Sequence, residues 1–234
     1  SLTHKADLEM LELGAGPDWN IGASAQMWAD YFPNCKEIHI AEIRPAGLEI
    51  RTDRIHPRIG DISDPHFLDE LGETQWDFIL DDCSHRWDHQ IIALATLISS
   101  VNHGGIYILE DIQTSFGDLR KRYRGSFGTD QTRNIGPVRQ EMTWYQRAIR
   151  RGGAFLTRLL KLKYQFNNAT TPDAMTILSE IAYCVAGGDK YHPTLESSTN
   201  YRLVKQISMQ LQSITFIEGS AILVKKSRDN TYLS

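Results

Sequence analysis

Trp76-Asp77-Phe78-Ile79-Leu80-Asp81-Asp82-Cys83-Ser84-His85 is echoed further along the chain by Gly105-Ile106-Tyr107-Ile108-Leu109-Glu110-Asp111. In each stretch a short, mostly apolar run of strand type ends in an acidic pair. A strand that ends this way delivers carboxylates to one edge of a sheet, and in open α/β sheets ligands bind at that carboxyl edge. Four clustered carboxylates resist ionisation unless a cation or a donor network compensates them. His85 adds a group that accepts protons near neutral pH. The expectation is a metal and a base on one rim.

Outward from this rim, the first half alternates strand and helix patterns. Leu8–Leu13, Glu37–Ile43 and, more weakly, Arg58–Asp61 read as strands. Ala23–Tyr31 and Pro65–Leu71 read as helices. His89–Val101 places Ile91, Leu94, Ala95 and Ile98 at helical spacing, and His103-Gly104-Gly105 is expected to break it before a strand over Ile106–Leu109. Repeated units of this length predict a mostly parallel, Rossmann-like α/β sheet with helices on both faces. Further on, Thr171-Pro172-Asp173 reads as a helix start with Thr171 as N-cap, and Met175–Val185 continues it. Ile214–Ile217 and Ala221–Val224, joined by Glu218-Gly219-Ser220, read as an antiparallel hairpin. The expected organisation is one domain over 1–234: a cofactor-binding core (1–111), a lid or substrate insertion (112–205) and the terminal hairpin (206–234).

A chain of 234 residues, 41% hydrophobic and 23% charged, can bury one sizeable core. Its net charge of −4 argues against general nucleic-acid binding. Three widely spaced cysteines fit neither a disulfide framework nor a zinc site. The apolar run Ile91–Val101 is too short to span a bilayer, and Ser1–Lys5 does not resemble a signal peptide. These features predict a soluble, cytoplasmic protein. The chain opens without methionine, which leaves a late start and a domain of a longer protein both open.

Glu12-Leu13-Gly14-Ala15-Gly16 lies where the first strand turns. Glycines there permit close backbone approach to a ligand. The dehydrogenase fingerprint expects another glycine where Trp19 stands, so a dinucleotide reading fits poorly. Glu42, near the end of the second strand, is placed to accept hydrogen bonds from both hydroxyls of a ribose. Asp61, after the third, could bind an adenine amino group. The plainer reading makes these turn glycines and solvated acids.

With these residues the chain resembles the class I S-adenosylmethionine-dependent methyltransferases. The resemblance covers Leu8–Leu109 and resumes at the hairpin. It implies that Glu12, Gly14 and Gly16 face the methionine part of the cofactor, Glu42 the ribose and Asp61 the adenine. More narrowly, Asp81–His85 and Glu110–Ser115 are similar to motifs of the metal-dependent macrolide-sugar (mycinamicin-type) O-methyltransferases and of related domains in polyketide and nonribosomal peptide synthases. That likeness implies Mg²⁺ or another divalent cation on Asp82, Glu110 and Asp111, with His85 as base. Cys83 departs from the small residue usual there but removes no ligand.

A bound cation lowers the pKa of a coordinated oxygen, and a positioned imidazole takes its proton. Carboxylate ligation favours a hard cation such as Mg²⁺. Asp81 is expected to cap the following helix or to lie near the cofactor. His89 is expected on the same helix face as His85, as a packed or solvated residue. Trp19, Trp28 and Trp87 are expected in the core or against the cofactor. The basic segment from Arg120 to Lys163 reads as a solvated lid, or as a dock for an acidic acyl or peptidyl carrier domain presenting a tethered hydroxyl substrate. RNA contact is disfavoured because aromatics are not interleaved tightly with the basic residues. A small-molecule hydroxyl is the leading acceptor, and a catalytically silent interaction module is the reading from another class.

Overall fold

In the computed structural model, residues 2, 5, 7–123, 173–188 and 200–227 are described. The strands are β1 (Glu9–Leu13), β2 (Glu37–Glu42), β3 (Ile55–Ile59), β4 (Trp76–Asp81), β5 (Val101–Leu109), β6 (Leu211–Ile217) and β7 (Ser220–Lys225). They form a seven-stranded sheet in the order β3-β2-β1-β4-β5-β7-β6. The first five strands are parallel, and β7 inserts antiparallel between β5 and β6.

Side chains alternate across a strand, and here both faces are apolar. Leu11, Leu13, Ile79 and Leu109 join one buried cluster with residues of α3 (Trp87–Leu97), α5 (Ala174–Val185) and α6 (Tyr201–Ser208). Leu8, Met10, Ile38, Ile40 and Phe78 join another with Ala25 and Ala29 of α1 (Ala23–Tyr31). Two covered faces leave the strand ends as the place for chemistry. The chain order reverses direction at β1, whose neighbours are β2 and β4, and that switch point opens a crevice at the carboxyl edge.

Three expected boundaries move. The third strand is Ile55–Ile59 rather than Arg58–Asp61. It holds Pro57, which lacks a backbone donor and is tolerated because β3 is an edge strand. The helix expected to reach Val101 is α3, followed by a tight turn at Ile98–Ser100, and Val101 already pairs with Trp76 in β5. The cap of α5 is Asp173, whose Oδ1 accepts from the Thr176 amide at 2.7 Å. Thr171 and Pro172 lie outside the described residues, as does the basic segment beyond Tyr123.

Shorter helices are α2 (Pro65–Gly72), capped by Asp64, and α4 (Leu119–Tyr123). Trp87 is buried, and Trp28 packs against the cluster of Leu8, Met10 and Ile38. Trp19 is 84% exposed, so it belongs to no core. No helix among the described residues is long and apolar enough to cross a membrane.

Candidate functional site

The carboxyl ends of neighbouring strands stay stitched together beyond the strands themselves. Gly14 donates to the Ala41 carbonyl (2.8 Å), Asp82 to Leu13 (3.0 Å) and Glu110 to Asp81 (3.0 Å). Gly14 has φ +99°, and a Cβ there would stand 2.4 Å from the Asp82 carbonyl oxygen. The vacant side of Gly14 is filled by the backbone of Asp82. Gly16, at φ +82°, is less crowded, its nearest neighbour to a Cβ lying at 3.5 Å.

Asp82, His85 and Asp111 come together, with one potential ligand atom from each all within 4.8 Å of one another. His85 Nε2 lies 3.1 Å from Asp111 Oδ2, and Nδ1 lies 4.0 Å from Asp82 Oδ1. Among the described residues, His85 (φ 53°) and Asp111 (φ 56°) are the only non-glycines with positive φ. Left-handed backbone at such residues persists where the surroundings over-determine it, commonly at functional sites. Thr114 supplies part of that constraint: its hydroxyl lies 2.8 Å from the Asp111 carbonyl and 3.4 Å from that of His85. Buried Gln90 of α3 donates to the Glu110 carbonyl at 2.9 Å. Tyr123, at the end of α4, brings its ring centroid to 6.2 Å from that of His85.

The electrostatics of the group suit a positively charged ligand. Burial, then the neighbouring Asp111, pushes Asp82 up to about 6. Burial, then Asp82 and Asp111, also raises Glu110. Burial lowers His85, although Asp111 and Glu110 pull the other way. Acids that resist ionisation in mutual proximity, with oxygen donors facing one space, suit a hard divalent cation. The grouped donors are Asp82, Asp111 and His85, whereas Glu110, expected as a ligand, is outside that group.

Asp81 does not cap a helix. It is the last residue of β4, buried, and accepts from the Tyr107 hydroxyl at 2.9 Å and the Cys83 thiol at 3.2 Å. Burial pushes its carboxyl up to about 7. α3 begins at Trp87 with Arg86 at its N-cap position, so His85 stands in the preceding loop and shares no helix face with His89. His89 is packed: its Nδ1 lies 2.8 Å from the Ser84 hydroxyl, and burial lowers its pKa. Burial raises the Cys83 thiol well above its ordinary value, which suits a structural donor rather than a nucleophile.

On the other side of the crevice, Glu12 is buried on β1, and burial pushes it up to about 7 against a lowering contact from Ser24. Its Oε2 has no hydrogen-bond partner among the described residues, which suits a ligand bringing a cationic or donor group. Glu42 accepts from the Ala15 amide (3.1 Å), the Arg44 amide (2.9 Å) and the Arg44 guanidinium (2.7 and 2.8 Å). Burial opposes its ionisation, but these bonds together hold Glu42 below its ordinary value. Asp61 is exposed beyond β3 and accepts locally from the Ser63 amide at 2.8 Å. Sequence reasoning missed Arg44, Gln90, Tyr107 and Thr114. Arg44 alone had a local signal, a basic residue just beyond the strand-end acid.

No family model matches the chain. It is 36% identical over 115 residues to 8-demethyl-8-(2-methoxy-alpha-L-rhamnosyl)-tetracenomycin-C 3'-O-methyltransferase of Streptomyces olivaceus, across 47% of this chain and 29% of that protein. It is 32% identical over 123 residues to mycinamicin VI 2''-O-methyltransferase of Micromonospora griseorubida, across 47% of this chain and 28% of that one. MycE methyltransferase of the mycinamycin pathway, solved with Mg and SAH, matches with a TM-score of 0.62 at 18% identity. That match covers 97% of this chain and 47% of MycE. The chain has the class I methyltransferase fold. The likeness to macrolide-sugar O-methyltransferases expected from Asp81–His85 and Glu110–Ser115 is thus present in the sequence relatives. The chain spans about half of MycE, and the aligned segments cover under a third of the curated relatives' length.

Proposed function

We propose that the chain transfers a methyl group from S-adenosylmethionine to a hydroxyl of a sugar borne by a natural product. Asp82, Glu110 and Asp111 are assigned to Mg²⁺ or a similar cation and His85 to the general base. The observation that carries this reading is the convergence of Asp82, His85 and Asp111 on the rim that also holds the glycine loop and Glu42. The names of the sequence relatives favour a sugar hydroxyl over the carrier-tethered alternative.

The reaction is an in-line displacement in which a C–O bond forms, the C–S bond breaks and the hydroxyl proton leaves. When bound, the sulfonium supplies the methyl electrophile and the cation acidifies the acceptor hydroxyl. Glu12 Oε2 is free to accept from the ammonium of the methionine part. Gly14–Gly16 line that end, Glu42 takes the ribose and Asp61 the adenine amino group. With Nε2–H donated to Asp111, His85 presents Nδ1 as its acceptor nitrogen. Nδ1 is buried with no hydrogen-bond partner among the described residues, and Asp111 and Glu110 favour the imidazolium that proton uptake creates. Burial favours the neutral ring, the state a base needs. Tyr123 is placed to wall the acceptor side, and we assign acceptor selection to the segment 112–205.

Turnover on a panel of α-L-rhamnosides tests this. We expect activity to stop in EDTA and return with Mg²⁺. The acid limb of kcat/KM should lie below the ordinary imidazole value of 6.5. Full turnover by His85→Ala with unchanged SAH affinity would remove the base assignment, and EDTA-insensitive turnover would remove the metal.

A further inference from the structure

The guanidinium of Arg44 forks onto both oxygens of Glu42, with Nε 2.7 Å from Oε1 and Nη2 2.8 Å from Oε2. The Arg44 amide already donates to Oε1 at 2.9 Å and the Ala15 amide to Oε2 at 3.1 Å. A carboxylate offers about four acceptor positions, so this one is saturated. Two of its donors are backbone amides held in place by the loops after β1 and β2. The other two belong to a side chain that can rotate.

A guanidinium fork and the cis-diol of a ribose each present two donors side by side. At a carboxylate with only two positions left to give, they exclude one another. The guanidinium has further partners in the same conformation. Arg44 Nη1 contacts Asp18 and Nη2 contacts the Gly16 carbonyl, and the Asp18 side chain is 88% exposed. The charged head can therefore lean outward onto Asp18 without losing an acidic partner.

We propose that Arg44 is an internal competitor for the ribose-binding carboxylate, which a nucleoside must displace to seat its diol on Glu42. This rests on the assignment of Glu42 to the ribose made above. Competition of this kind lowers apparent affinity by the fraction of molecules in which the fork has moved aside. For a partly exposed ion pair the closed form outweighs the open one by about fivefold. It also makes binding selective, since a ligand without the diol has nothing to offer Glu42 in exchange for the fork. Salt screens the ion pair, so the affinity of a neutral nucleoside for the unaltered chain rises with ionic strength.

The test is calorimetric titration of the full chain with adenosine and with 2',3'-dideoxyadenosine, in the parent, Arg44→Met and Glu42→Gln. Arg44→Met keeps the backbone donor and the side-chain length. We expect it to tighten adenosine about fivefold, to leave the dideoxy compound unchanged and to abolish the gain with salt. Weaker or unchanged adenosine binding by Arg44→Met overturns the competition; if Glu42→Gln still penalises adenosine more than the dideoxy compound, the ribose assignment survives that result. If Glu42→Gln affects both compounds alike, the ribose assignment fails and the competition fails with it. Thermal melting of both variants verifies that they are folded when titrated.

Discussion

Replacing Gly14 and Gly16 by alanine, one at a time, separates two reasons for a glycine. Both residues have positive φ, +99° and +82°, and for an L-residue that backbone costs about 1–2 kcal/mol. Only at Gly14 does the new Cβ meet backbone, 2.4 Å from the Asp82 carbonyl oxygen and 2.9 Å from Cys83 Cα. Neither atom can swing aside as a side chain would. Relieving such an overlap adds roughly 1–3 kcal/mol of the kind seen on overpacking a core. Gly14→Ala is therefore expected to cost about 2–5 kcal/mol and Gly16→Ala about 1–2 kcal/mol. At about 2–4 °C per kcal/mol for a domain of this size, the Tm falls by roughly 10 °C for the first and about 4 °C for the second. The same overlap moves the Asp82 backbone, so Mg²⁺ affinity falls with Gly14→Ala, while the Gly16 variant keeps it. Differential scanning fluorimetry with and without Mg²⁺ reads both effects. Equal melting shifts, or unchanged Mg²⁺ stabilisation of the Gly14 variant, would refute the idea that the first glycine exists to let two strand ends touch.

Two further outcomes follow from the buried acids and the strained loops. Folding raises Asp81 from 3.8 and Glu12 from 4.5, each to about 7. The stability they favour is thus fully present below their unfolded values and is lost as pH rises through about 7. In EDTA the urea midpoint should decline between about pH 4 and pH 7 and level off above, and Asp81→Asn should flatten that decline. Thr114→Val removes the hydroxyl between the His85 and Asp111 carbonyls. The expected cost is about 1 kcal/mol in urea, together with weaker Mg²⁺ binding; an unchanged Mg²⁺ affinity would show that the two left-handed residues hold their places without it.

Much of this arrangement was legible because it is local in sequence. Asp82, Glu110 and Asp111 follow strand-like runs directly, so periodicity alone put them on one edge. Glu42 was legible for the same reason. Pro57 hid the third strand, since only the position of β3 at the sheet edge makes a proline harmless there. Asp81 looked like a helix cap because its partners, Tyr107 and Cys83, are set by strand pairing and by a loop bend. Neither of these shows in composition. The positive φ of His85 and Asp111 had no glycine to announce it. Nor did sequence show that His85 would group with Asp82 and Asp111 while Glu110 stands outside that group, because loop conformation decides it.

The antiparallel pair β6 and β7 has a bearing on timing. β7 pairs with β5, and the Gly219 carbonyl in the hairpin turn accepts from the Ile112 amide at 2.9 Å, immediately after Asp111. The loop bearing Asp111 is thus pinned by residues synthesised more than a hundred positions later. A nascent chain can bring β1 to β5 together as each emerges, yet the rim bearing Asp82, His85 and Asp111 stays unfinished until the hairpin closes. Contacts so distant in sequence are slow to form. The Glu42 side of the crevice is therefore built early, and the Asp111 side arrives last.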